Sequence, residues 1–358
     1  VAERQGGDDL VSSVAAFLDR ALPPERHRAI LAAGGWDEGL HAELAALGWA
    51  ELTADPDDGG LGVSPAELGG LAGLVGERLV PGPLVEQLVL PALLPGALAG
   101  ARLPALADPA VTVDWAADVG GLQLCGGTLS GVVELVRFGA QADVIVLAAD
   151  AGPGEPAVVV LPAGDPELRV DERAGADPCA RYARVAVAER PVAAGEVMAT
   201  GPAAFELLAG VRAWLRILTA CELAGIARRV LADSVAYAGQ REQFGRPVGS
   251  FQALKHILAT MAQLSLSLDA LCEAATADAA GQDAAALELT GLTVKACAAQ
   301  SARQVCEDGL QVHGGIGFTT EYDLHWYLRR ALALRSWYGD ERELAGLIGA
   351  RRLGVETA

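Results

Sequence analysis

Tyr237-Ala-Gly-Gln-Arg-Glu-Gln-Phe-Gly-Arg-Pro-Val-Gly-Ser-Phe-Gln252 separates two runs of helical periodicity. Before it, Phe205, Leu208, Val211, Leu215, Leu218, Leu223, Ile226 and Val230 recur mostly at three to five residues, the spacing of one buried helix face. Gly245, Pro247 and Gly249 break that pattern, and Phe251, Leu254, Leu258, Met261, Leu264 and Leu268 restart it. The stretch therefore reads as a short connection between two antiparallel helices. Arg241 and Gln252 flank it. A guanidinium offers a fixed fork of donors suited to a diphosphate, and a glutamine side chain both donates and accepts. Read alone, Arg241 and Glu242 are also what a solvated helix end carries.

A second segment, Gln311-Val-His-Gly-Gly-Ile-Gly317, follows another helical run. Its glycines permit left-handed backbone and close approach of a flat ligand, or simply a helix stop. It lacks the Gly-x-Gly-x-x-Gly spacing of a dinucleotide fingerprint, and no strand precedes it.

Taken together the two segments, about sixty residues apart, resemble the paired motifs of the acyl-CoA dehydrogenase family. The similarity continues through Phe318-Thr-Thr-Glu-Tyr-Asp-Leu to Arg330. The resemblance implies FAD as cofactor, with Arg241, Phe244 and Gln252 reaching its diphosphate and flavin and with Gln243 beside them. Gln311, Gly314 and Gly315 would hold the adenine end, commonly across a dimer interface. His313 stands either against the adenine or as part of the helix stop. The implied substrate is an acyl-CoA thioester, and the electrons leave to an electron-transfer acceptor.

The chain has 358 residues, long enough for two or three domains. With 52% hydrophobic residues and few aromatics, its core is to be built from Ala, Leu and Val, as helical bundles are. A net charge of −19 argues against nucleic acid and anionic membranes as partners. No uninterrupted apolar run reaches the length of a membrane span and the start lacks signal-peptide character, so a cytoplasmic location is expected. The six cysteines are scattered without metal-type spacing and read as buried thiols.

The fold class expected is α+β, in three domains. A helical domain, 1–100, contains helices around Leu10–Leu22 and Leu40–Leu47, a turn-rich loop at Asp55–Gly62, and a helix capped by Ser64 with Pro65 and Glu67 behind it. Short β-prone runs, Val111–Val113, Leu122–Leu124, Val132–Val136, Val144–Leu147, Val158–Leu161 and Ala183–Val187, predict a small β-barrel or sandwich over 101–198. The remainder, 199–358, predicts an antiparallel four-helix bundle with helices at 203–238, 250–279, 284–310 and 321–336, the last capped by Thr320 with Asp323. Leu47-Gly-Trp-Ala-Glu-Leu and Val80-Pro-Gly-Pro-Leu-Val-Glu again resemble the family's N-terminal domain.

The reaction that the resemblance implies removes a proton next to a thioester carbonyl while hydride leaves the neighbouring carbon, and it needs a carboxylate base. Family members place a Glu before Gly-Thr; this chain reads Tyr338-Gly339-Asp340-Glu341 there. The alternative family position, on the first bundle helix, falls at Leu215. Asp340 and Glu341 are the nearby acids, and both also suit the N-terminus of a final helix. Tyr338 reads as a core side chain, since a phenol with an ordinary pKa of about 10 would need strong activation to act as a base. The family's flavin-facing segments in the β region have no counterpart: Ala107–Val119 and Val136-Arg-Phe-Gly-Ala-Gln-Ala-Asp-Val replace them.

Three readings follow. The chain is a subunit of a hetero-oligomer, a dimer of dimers with a related subunit, that completes the partner's FAD site, like the actinobacterial sterol-degrading enzymes it resembles. It is a self-sufficient homo-oligomer using Asp340 or Glu341. Or it is a flavin-free structural paralogue, against which the retained Arg241 and Gln252 argue.

Overall fold

The computed structural model describes residues 2–54, 60–94, 98, 103–107, 121–152 and 155–354, with side chains from residue 9 onward. Most of the expected loop at Asp55–Gly62, the run Val111–Val113 and nearly all of Ala107–Val119 lie outside the described residues.

Helices α1 (Ala2–Ala21), α2 (Pro24–Ala32), α3 (Glu38–Ala46), α4 (Pro65–Glu77) and α5 (Leu84–Leu93) come first. The start of α4 is written in its sequence. Ser64 Oγ accepts from the Glu67 amide while Glu67 reaches back to the Ser64 amide, a reciprocal cap with proline at the first turn.

Eight strands follow: β1 (Pro104–Ala107), β2 (Leu122–Cys125), β3 (Thr128–Arg137), β4 (Val144–Asp150), β5 (Pro156–Pro162), β6 (Leu168–Arg173), β7 (Tyr182–Pro191) and β8 (Val197–Thr200). They form one sheet in the order β6-β7-β3-β2-β4-β5-β8, with β1 also lying parallel to β4. The unbroken apolar runs of β4 and β5 have a simple cause, because both faces are covered. Ile145, Leu147, Val159 and Leu161 pack with Leu129, Val133, Val185 and Leu168 in a core of the sheet's own. Strands from both ends of the order share that core, so the sheet folds over on itself. Val146, Ala148, Val158 and Val160 face the other way and join the helices in a larger core.

From Gly201 the chain is helical: α6 (Gly201–Gln240), α7 (Gln252–Ala279), α8 (Ala284–His313), α9 (Leu324–Ser336) and α10 (Glu341–Leu353). At 40 residues α6 is about 60 Å long. It packs on α7, α8 and α9, and α10 packs on α8. Among the described helices α7 alone is long and apolar enough to cross a membrane by composition, with 22% of that window buried. Its Met261, Leu268, Cys272 and Ala275 are buried within the bundle.

Three details differ from the sequence expectation. The cap proposed at Thr320 does not form: α9 begins after Asp323, which makes no side-chain cap bond and instead takes two hydrogen bonds from Arg28 Nε and one from Nη2 at 3.0–3.1 Å. An ion pair to a distant helix outcompetes the local cap. Cys125 and Cys297 are exposed, while the other four thiols are buried. The connection after α6 carries a miniature hairpin, β9 (Glu242–Gln243) with β10 (Arg246–Pro247).

α4 and α6 cross in backbone contact. A Cβ on Gly225 would stand 1.9 Å from the Gly73 carbonyl oxygen, and one on Gly76 would stand 1.9 Å from that of Glu222. This contact sets the depth at which Glu222 sits. Gly225→Ala is expected to force the helices apart and destabilise the chain by about 1–3 kcal/mol, read as a lower denaturation midpoint at unchanged slope.

Candidate functional site

The two motifs meet at a ring stack. Tyr237, in the last turn of α6, lies over His313 at the end of α8, with centroids 4.4 Å apart, and Tyr322 meets both rings, tilted against His313 at 4.8 Å and edge-on to Tyr237 at 6.3 Å. His313 is buried, donates from Nδ1 to the Gly309 carbonyl at 2.8 Å, and is held below its ordinary pKa by that burial. The imidazole thus faces inward as the post on which the segments are joined. Tyr237 opened the quoted motif, yet nothing in the sequence assigned it this role.

Around the stack the nominated side chains point outward. Arg241, Gln243, Phe244, Gln252, Gln311 and Gly315 are exposed, and Gly314 is half-buried. No ion pair engages Arg241 among the described residues. Gln243 turns back, donating to the Glu242 carbonyl at 2.7 Å. At the hairpin tip Phe244 is 93% exposed on left-handed backbone, φ 55°. That geometry costs about 1–2 kcal/mol, and leaving a Phe in water forgoes about 1.5–3 kcal/mol more, so the tip is shaped for something that covers it. Arg246 lies 4.1 Å from the centroid of Phe251, which Phe244 meets edge-on. Gly245, Gly314 and Gly315 have no atom within 4 Å of where a Cβ would stand. An unpaired guanidinium, amide donors, an uncovered ring and an open glycine segment together fit an anionic, flat, aromatic cofactor such as FAD.

The interior is arranged in the opposite way. Tyr338 adopts φ 63° and Gly339 φ 101°, and the turn they form is gripped from three helices. The Tyr338 hydroxyl donates to Glu86 Oε1 on α5 at 2.7 Å, its carbonyl accepts from Arg216 Nε on α6 at 2.9 Å, and Lys295 on α8 donates to the Gly339 carbonyl at 3.0 Å. Arg137, at the end of β3, pairs with the same Glu86 oxygen at 2.7 Å, both side chains being 4% exposed. Burial pushes the Tyr338 phenol well above its ordinary value, and the Glu86 carboxylate adds to the effect. It is a hydrogen-bond donor and not a base.

The acids nominated from sequence are occupied elsewhere, in the roles that the N-terminus of a final helix offers them. Asp340 caps α10, accepting from the amides of Arg342 and Glu343 at 2.8 and 2.9 Å. Glu341 takes three hydrogen bonds from Arg335 at 2.6–2.9 Å. Burial opposes its charge, but the Arg335 contacts win and hold the carboxyl below its ordinary range, weakening it as a base. Leu215 is fully buried.

Beside this turn lies a second ion cluster. Arg330, 1% exposed, donates to Glu222 Oε1 from Nε and Nη2 at 2.8 and 2.6 Å and to Asp177 Oδ2 at 2.6 Å. Burial raises the Glu222 pKa against the pull of Arg330 and Arg137. The spacing of charges gave no sign of these partners, since 108 and 153 residues separate Arg330 from them.

Residues 206–353 match the family model described as acyl-CoA dehydrogenase, C-terminal domain. The chain is 32% identical to acyl-CoA dehydrogenase IpdE2 of Mycobacterium tuberculosis, over 90% of this chain and 89% of that protein. It is 34% identical to acyl-CoA dehydrogenase FadE34 of the same species, over 90% of this chain but 45% of that protein, so it spans less than half of FadE34. A chain of the ChsE4–ChsE5 complex of M. tuberculosis superposes with a TM-score of 0.85 at 24% identity, covering 98% of this chain and 98% of that one, a likeness of fold. The chain belongs to the acyl-CoA dehydrogenase family.

Removing one partner from a buried ion cluster leaves an uncompensated charge. Arg330→Met is expected to cost about 3–5 kcal/mol, measured by chemical denaturation. Glu222→Gln, which keeps an acceptor for Arg330, should cost less.

Proposed function

We propose that this chain is an acyl-CoA dehydrogenase subunit that completes the FAD site of a related catalytic partner in a hetero-oligomer. The observation that carries the reading is the contrast between its two faces. The outward set is exposed and makes no ion pair among the described residues, whereas the interior place that corresponds to the family's base holds Tyr338, sealed by Glu86 and Arg137. FAD, when bound, supplies the hydride acceptor. On this reading Arg241 and Gln252 bind its diphosphate, Phe244 covers part of it from water, and the backbone of Gly314 and Gly315 admits its adenine end. The carboxylate that takes the proton from the acyl-CoA belongs to the partner.

Two further facts support pairing with a chain of the same family. The aligned stretch fills less than half of FadE34, which leaves room in that protein for a second unit of similar size. The ChsE4–ChsE5 fold neighbour is a complex of two named chains. The resemblance to sterol-degrading enzymes makes steroid-derived acyl-CoA thioesters the first substrates to try. The electrons would pass to an electron-transfer acceptor, and the cytoplasm is the proposed compartment.

The test is flavin content and turnover of the chain produced alone and together with a second acyl-CoA dehydrogenase-type subunit from its source. Alone it is expected to be colourless and inert; the pair should hold about one flavin per two chains and turn over. In the pair, Arg241→Ala should weaken flavin retention by roughly 10–100-fold, the worth of a charged hydrogen bond. A lone chain that is flavin-loaded and active overturns the proposal.

A further inference from the structure

The chain has two lysines, Lys255 and Lys295, against 27 lysines and arginines together. Lys295, on α8, is fully buried. Its Nζ donates to the Arg335 carbonyl at 3.1 Å and to the Gly339 carbonyl at 3.0 Å, and no carboxylate among the described residues pairs with it. These two carbonyls bracket the turn that carries Tyr338.

The number of acceptors matters. An ammonium has three N–H groups to satisfy and a neutral amine has two, which matches the two carbonyls. The charged groups around the amine are Arg216 from α6, Asp340 from the turn, and Glu341 and Glu343 from α10, with Glu341 held by Arg335 of α9. The α9 C-terminus favours a cation by about 0.3–1 kcal/mol, against a cost of several kcal/mol for burying one. Burial, with Arg216 second and the three carboxylates opposing, pushes the amine down to about 7. Arginine cannot discharge in a protein, so the residue type that can is found at this site in a chain that otherwise uses arginine almost throughout.

We propose that Lys295 works as an uncharged two-donor clamp on the Arg335–Gly339 turn, and that protonation of this amine loosens the turn and its closure over Tyr338. The device belongs to this chain alone and holds whether or not the proposed pairing does. Its sign follows from linkage. The folded value, about 7, lies below the unfolded one, about 10.5, so the unfolded chain binds more protons between them. Stability from this site is complete above the unfolded value and is lost as pH falls toward 7, at about 10-fold in the unfolding constant per pH unit.

Selective ¹³Cε-lysine labelling gives two NMR signals, and Lys295→Met identifies the buried one. The Lys295 signal is expected to titrate near pH 7. Hydrogen exchange of the segment 335–341, corrected for its intrinsic pH dependence, should be slow at pH 8.5 and at least about 10-fold faster at pH 6. Lys295→Arg, charged at every pH, should exchange fast throughout. Should that variant fail to fold, titration and exchange of the natural chain decide. A Lys295 signal still charged at pH 9, or turn exchange equal at the two pH values, overturns the proposal.

Discussion

The guanidinium of Arg330 ties the C-terminal helices to the sheet. It lies on α9, and its carboxylates come from α6 and from the loop between β6 and β7. A buried cation costs several kcal/mol unless its partners are placed well, so the cluster tolerates one relative position of helix, helix and loop. Glu222 has no freedom to retreat, because α4 and α6 touch backbone to backbone beside it. Close approach at three glycines and a buried ion cluster therefore fix the same crossing from two sides.

The Glu86, Arg137 and Tyr338 cluster extends this logic to the interior turn. Left-handed backbone at a tyrosine survives when the surroundings over-determine it, and here α5, α6 and α8 each hold one atom of the turn. The same rigidity removes the acids that follow from chemistry. Asp340 is spent on the α10 amides, where it starts the final helix as the turn leaves off, and Glu341 is spent on Arg335. Outside, nothing of this kind has happened. Arg241, Gln252 and Phe244 are exposed at the surface.

Much of this was legible in residue order. Helix periodicity gave the bundle helices to within three residues at most ends, and the Ser64, Pro65 and Glu67 signal gave a helix start in full, because both arise from contacts within one or two turns. The paired motifs identified the family for a similar reason, since residue types at fixed short spacing encode a local backbone shape. Thr320 shows the limit: a good local cap lost to Arg28, nearly three hundred residues away.

By itself, then, the sequence determined most of the helices and strands, their order and the family. The tertiary structure decided what individual residues are free to do. It turned His313 inward onto Tyr237, committed Asp340 and Glu341, and set Glu86, quoted in a motif but given no role, against a tyrosine 252 residues away. The reason is physical. Periodicity and capping are short-range and leave a trace in spacing, whereas a buried charge is stable only beside its partner, and that partner is chosen by packing across the whole chain.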